Sequence, residues 1–273
     1  MKRFLSKSLL PNAVLLAVAL IMLIPMLQIV NVALKSNAEF LANPISIVKK
    51  PQWSNFIEAW TSAEMSIYFF NSFIYTFFVA AGVCIVATLA AYPIARKHVK
   101  GSNFLYMLFL SALFLPAGLV PLLFIMKYLN LMNTYHGFIL MKIGGGLSVA
   151  VFIFTAFIKG IPKELDEAAA IDGCGYLRYV LTILLPLMKP AIMTVGMLSA
   201  IGTWNDFISP YVFLIDKELR PLTSGLYMFM GEYTVNWPIL ASGILIIAAP
   251  LLIAFIFLQK FIVSGITAGS IKG

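Results

Sequence analysis

The sequence predicts an all-α polytopic membrane protein, and two observations carry that reading. The chain is 61% hydrophobic and only 11% charged, with a mean hydropathy of +0.96, whereas soluble domains carry about a quarter of charged residues. Its apolar residues also come in long uncharged runs separated by short charged stretches. Each run has about the 20 residues that an α-helix needs to cross a bilayer. The 273 residues therefore read as a series of spans, not as one or two soluble domains. The net charge of +8 does not point to nucleic acid, because the basic residues lie at the ends of apolar segments and form no continuous face. Cys84 sits in an apolar segment and Cys174 in a charged loop, so no disulfide is implied. With His98 and His136 they build no metal-ligand cluster.

The elements follow in order. Met1 to Lys7 is a short basic start, and Ser8 to Leu34 is uncharged. That run is too long for the core of a signal peptide, and Asn31 and Leu34 offer no small-x-small cleavage site, so it reads as a retained first span kinked near Pro25. Lys35 to Glu64 is polar and reads as an external segment, its Trp53 and Trp60 suited to the membrane interface. Met65 to Ala95 makes an interfacial lead-in and a second span, and Arg96 to Gly101 a short basic loop. Ser102 to Met126 is a third span, broken by Pro116 and Pro121. Lys127 to Gly137 is a short polar connection, and Phe138 to Ile158 is a fourth span, its start weakened by Lys142 and three successive glycines. Pro190 to about Phe213 is the fifth span and Ile239 to Phe261 the sixth, with a polar stretch from Leu214 to Pro238 between them and a short tail after.

Charge sets the orientation. With a cytoplasmic amino terminus, twelve basic residues fall inside, among them Lys2, Arg3, Arg96, Lys97, Lys163 and Arg178. Seven, including Lys35, Lys142 and Arg220, fall outside or near the outer face. The basic excess lies inside, as the positive-inside rule requires, and six spans bring both termini to that side.

One charged interruption organises the second half. From Pro162 to Pro186 the chain expects a helix begun at Pro162, with Glu164, Asp166 and Glu167 where the helix dipole favours anions. Gly173 and Gly175 stop it, Gly173 with the freedom to take a positive φ. A second short helix carries Tyr176, Val180 and Ile183 on one side, and Pro186 closes it. The result is a cytoplasmic knob of two short helices suited to a groove on a partner, with an amphipathic connector lying on the membrane as the competing reading.

This stretch also resembles a known motif. Glu167-Ala168-Ala169, three residues, Gly173, nine residues, then Ile183-x-Leu185-Pro186 is similar to the EAA loop of ABC-importer permeases. Gly202-Thr203-Trp204-Asn205-Asp206-Phe207 resembles the GTWNDF or GTWNEF signature of carbohydrate-importer permeases. The ending Gln259-Lys260-Phe261 to Gly265-Ile266-Thr267-Ala268-Gly269, with Lys272-Gly273, resembles the close of the maltose-type subfamily. Lys142 with its glycines and Cys174 beside the motif glycine are departures.

The resemblance implies a type I importer fold of six transmembrane helices with cytoplasmic coupling helices. Residues 1–66 would form an amino-terminal helix and external segment, 67–265 the permease domain with its EAA loop over 162–187, and 266–273 a cytoplasmic tail. It implies a bacterial cytoplasmic membrane location, membrane lipid around the spans, a homologous second permease, two copies of a cytoplasmic ATPase, an extracytoplasmic binding protein and a sugar substrate. The same fold also serves amino acids, polyamines and sugar phosphates. ATP and Mg would be bound by the partner, since the chain has no P-loop motif to cradle phosphates. It would be no enzyme itself: only Asp206 places an acid within a span.

The resemblance assigns ATPase docking to Glu167, Ala168, Ala169, Asp172, Gly173, Ile183, Leu185 and Pro186, with the small alanines permitting close approach. Trp204, Asn205 and Asp206 are expected on the translocation path, since polar groups at such depth face a bundle interior or water; bonding between helices is the alternative. Lys142 reads first as snorkelling to the outer interface, and Asn71 and Ser72 as packing. Tyr227, Tyr233 and Trp237, with Gly225 and Gly231, form a stretch that the resemblance implies would probe the binding protein, or an interfacial aromatic belt.

Overall fold

A computed structural model describes residues 2–62, 65–115, 118–226 and 235–270, and they are almost entirely helical. In chain order the helices are α1 (Lys2–Ala33), α2 (Asn37–Ala42), α3 (Ser54–Ser62), α4 (Met65–Arg96), α5 (Ser102–Ala112), α6 (Leu119–Tyr128), α7 (Tyr135–Lys159) and α8 (Glu164–Ile171). They continue as α9 (Tyr176–Leu187), α10 (Lys189–Trp204), α11 (Ile208–Phe213), α12 (Leu222–Gly225) and α13 (Trp237–Ser270). The chain divides into two compact units, Met1–Ser66 with Gly225–Pro250, and Ile67–Ser224 with Leu251–Gly273.

Among the described residues, four helices are long and apolar enough to cross a membrane by themselves: Pro11–Ala33 of α1, α4, α7 and Trp237–Phe257 of α13. The pair α9 and α10 makes a fifth if it is one span, bent by 83° between Leu187 and Lys189. The third span, expected to be broken by Pro116 and Pro121, is two short apolar helices, α5 and α6. The sequence places Pro116 between them and Pro121 in the first turn of α6, and a proline supplies no backbone donor to a continuing helix. Among the described residues, then, the third span is not one continuous helix. The fifth expected span also stops early, at Trp204, while the last helix runs past Phe261 to Ser270. Pro25 lies inside α1 and does not end it.

In the first unit the segment after α1 is folded, not merely polar. Lys35 is fully buried and donates to the carbonyls of Asn43 (2.9 Å) and Pro44 (3.1 Å) and to Ser46 Oγ (3.2 Å). An ammonium has three protons and no acceptor capacity, so three oxygens saturate it without a counter-ion. Asn55 closes the base by donating to the carbonyls of Ala33 and Lys35.

In the second unit α4, α7 and the α9–α10 run share one core. Val79, Val83, Ala87 and Ala91 recur every four residues on α4 and meet Ala150, Val151, Phe154 and Ile158 of α7. Small residues let these helices approach closely, as packing between membrane helices favours. A Cβ at Gly82 would come within 2.3 Å of Ile143, and one at Gly146 within 2.9 Å of Val83. Lys159 lies 4.8 Å from the ring centroid of Tyr106, joining α7 to α5. At the other end of α4, Asn71 donates to the carbonyls of Glu218 and Arg220, Ser72 accepts from the Leu222 amide and Tyr75 donates to the Leu219 carbonyl. The expected packing role of Asn71 and Ser72 is thus a hydrogen-bonded clasp on the segment that follows α11.

Candidate functional site

The knob begins at Glu164, two residues later than the first-turn position expected of Pro162. Lys163 caps it with no side-chain bond. Gly173 has φ +71°, the left-handed conformation that glycine adopts without a Cβ clash. The chain then re-enters helix at Tyr176 and passes through a π-helical turn over Val180–Leu184. Pro186 does not close the second helix but lies within its last turn.

What fixes the knob on the membrane helices is Arg96, the last residue of α4. Its guanidinium donates to the carbonyls of Ile161 (3.0 Å) and Pro162 (3.5 Å) and pairs with the Asp166 carboxylate. The other face of that carboxylate accepts the Tyr179 hydroxyl, tying α9 to α8. Arg96 is 8% exposed and Tyr179 4%. A planar fork of donors suits two carbonyls and a carboxylate together, which a lysine could not reproduce. Neither Arg96 nor Tyr179 stands out in the sequence: the first is one of several cations in a basic loop, the second one aromatic among many. The reachable signal was Asp166, an acid of the first turn.

The expected docking residues separate into two groups. Glu167, Ala168, Asp172, Gly173 and Pro186 are exposed. Ala169 is buried, and Ile183 and Leu185 are packed against the core shared with α4 and α7. These three shape the knob from within. The structure adds exposed apolar residues that the motif does not name: Ile171 at 86%, Leu177 at 65% and Tyr176 at 45%. Cys174 is half-buried against the core.

The second candidate region lies at the break after α10. Trp204, expected on a path, is 3% exposed and its ring meets Phe73 edge-on at 5.2 Å and Phe69 at 6.4 Å, so it serves packing. Asn205 is exposed as the residue that ends α10. Asp206 is half-buried: Oδ1 accepts the Ser209 amide at 3.0 Å and its carbonyl accepts the Thr223 hydroxyl at 2.8 Å. Its remaining oxygen lies 2.8 Å from Lys142 Nζ. Lys142 is therefore no snorkelling lysine, since an inward carboxylate holds it. Beside this pair is a cavity of about 360 Å³ lined by Lys142, Ser199, Thr203 and Ser209 among apolar side chains. Tyr227 and Tyr233, with Gly231, lie outside the described residues; Gly225 ends α12 and Trp237 begins α13.

Comparison with known proteins places this architecture. The family described as "Binding-protein-dependent transport system inner membrane component" matches residues 83–268. A "Probable ABC transporter permease protein YurM" of Bacillus subtilis is 35% identical over 91% of this chain and 83% of its own length. The "Melibiose/raffinose/stachyose import permease protein MelC" of the same species is 33% identical, over 92% and 91%. The "Sulfoquinovosyl glycerol transport system permease protein SmoH" of Agrobacterium fabrum is 31% identical, over 92% and 89%. Among solved structures, a chain from a bacterial ABC transporter involved in the import of the acidic polysaccharide alginate superposes with a TM-score of 0.82. It is 22% identical and is covered to 95%, with 92% of this chain matched, so the likeness is one of fold. The chain belongs to the family of binding-protein-dependent transport system inner membrane components, the permease subunits of ABC transporters.

Proposed function

We propose that this chain is one of two permeases of an ATP-driven importer that carries a sugar, an oligosaccharide or disaccharide, into the cell. The observation that carries the substrate class is the relatives themselves: at 31–33% identity over nine-tenths of the chain, their names are those of sugar permeases. Amino acids, polyamines and sugar phosphates remain the competing cargo of the same fold. The knob is the coupling element, facing the cytoplasm, where a separate ATPase seats against Ile171, Glu167 and the Gly173 turn. The chain hydrolyses nothing. ATP and its Mg belong to two copies of the ATPase, and the sugar arrives on an extracytoplasmic binding protein.

Coupling on this reading needs an element with two arrangements, each favoured by a different ligand state of the partners. The Arg96–Asp166–Tyr179 clamp makes the knob a rigid extension of α4 and of the α9–α10 run, so displacement of the knob moves those helices. The test is uptake of a labelled panel of oligosaccharides, amino acids and polyamines by the reconstituted complex, with ATP hydrolysis followed with and without loaded binding protein. Uptake of a sugar with stimulated hydrolysis is expected; uptake of an amino acid or polyamine alone would refute the substrate class.

A further inference from the structure

Lys142 is the residue that the family motifs leave unexplained, and the structure gives it surroundings that ask for a role. It stands in the second turn of α7, on a helix that is apolar for most of its length, yet its side chain is only 21% exposed and that of Asp206 only 13%. Ionised groups at such a depth are costly unless they are paired or face a watery space. Here the pair is present and open space lies beside it. One contact goes to Asp206 at 2.8 Å, and the rest of the side chain lines the 360 Å³ cavity.

The count of donors decides what that means. An ammonium carries three N–H donors, and among the described residues Lys142 uses one. Compare Lys35, whose three donors all reach protein oxygens and which is fully buried. Lys35 is saturated by the protein, whereas Lys142 keeps donors in reserve beside a cavity. Its charge is already balanced by Asp206, so the wall offers hydrogen bonds without net charge. Ser199, Thr203 and Ser209 line the same cavity. Gly145 and Gly202 line it where a Cβ would meet nothing within 4 Å, which leaves the space open. Apolar side chains make up the remainder. Polar donors on an otherwise apolar surface, in a volume within the ordinary range of ligand sites, fit a neutral polyhydroxylated molecule, whose ring faces are apolar and whose edge is hydroxyls.

We propose that this cavity is a contact site for the transported sugar within this subunit, and that Lys142 donates hydrogen bonds to its hydroxyls while Asp206 holds the ammonium in place and cancels its charge. This rests on the reading of the chain as a sugar permease. Lys142 is then a substrate-contacting residue, and Asp206 a positioning one.

The experiment measures sugar moved per ATP hydrolysed by the reconstituted complex, with a labelled neutral oligosaccharide that the wild-type complex imports. Lys142→Met should lower that ratio at least fivefold, while hydrolysis stimulated by loaded binding protein stays within twofold of wild type. Lys142→Arg should retain most of the ratio. Exchanging the pair, Lys142→Asp with Asp206→Lys, keeps an ion pair but moves the ammonium to the opposite wall and should not restore it. Gly202→Leu, which leaves the pair untouched and narrows the cavity, should lower the ratio as well. The proposal is overturned if Lys142→Met or Gly202→Leu leaves the ratio unchanged, if the exchanged pair restores it, or if uptake and hydrolysis fall in parallel in all variants. A wild-type complex that answers its binding protein but imports no sugar refutes the sugar reading, and this proposal with it.

Discussion

Two ion pairs anchor breaks in the helical path of this permease, and they are built differently. At the knob, a buried Arg96 meets two backbone carbonyls and a carboxylate, and the carboxylate meets the hydroxyl of a buried tyrosine. At the cavity, Lys142 meets one oxygen of Asp206 and keeps the rest of its ammonium beside open space. The first arrangement ties one guanidinium to three separate acceptors and so fixes the geometry of a loop. The second fixes only the position of a charge. A part that must transmit displacement gains from the former, and a wall that must exchange ligands gains from the latter. The choice of arginine at one site and lysine at the other follows from that difference.

The sharpest way to break the comparison is to remove the knob's anchor. Arg96→Met leaves two carbonyls without their guanidinium donor and the Asp166 carboxylate with only the Tyr179 hydroxyl, a loss of about 3–5 kcal/mol for a buried pair broken on one side. The expected result is a complex in which the knob is cleaved by added protease at Ile171 to Tyr176 and ATP hydrolysis no longer answers the binding protein. Loss of the equivalent partner at the cavity pair, which borders open space, should leave assembly intact, which is the contrast to measure.

A smaller effect is expected at the turn between the two knob helices. Gly173→Val puts a β-branched residue at φ +71°, costing on the order of 1–3 kcal/mol. Nothing lies within 4 Å of a Cβ there, so the cost is conformational and not a clash. Hydrogen exchange should show faster exchange confined to α8 and the start of α9, with transport reduced and the core protected as before. Uniform loss of protection would mean that the turn is not locally contained.

How legible all this was in the sequence depends on whether the cause is local. The boundaries of α4 and α7 follow from continuous apolar runs ended by charge, and they fall within a few residues of expectation. The positive φ at Gly173 was readable because one residue type tolerates it. The break in the third span was readable from Pro116 and Pro121, whereas the end of the fifth at Trp204 was not, because the apolar character continues past it. Trp204 was misplaced because an aromatic beside Asn and Asp suits a sugar site as well as it suits a ring cluster with Phe69 and Phe73. The clamp and the cavity pair were invisible for the same reason. Arg96 and Asp166 are 70 positions apart and Lys142 and Asp206 are 64 apart, and no periodicity links such positions.

The measurement that tests the account most directly uses two positions on the knob that the motif treats alike or ignores. A photo-activated cross-linking residue at Ile171, which is 86% exposed, is compared with one at Ile183, which is packed against the core. In the assembled complex with its ATPase, Ile171 should cross-link to the ATPase and Ile183 only within the permease. Cross-linking to the ATPase from Ile183, or none from Ile171 in a complex shown to be assembled, would contradict the reading of this knob as the surface through which ATP hydrolysis drives the pore.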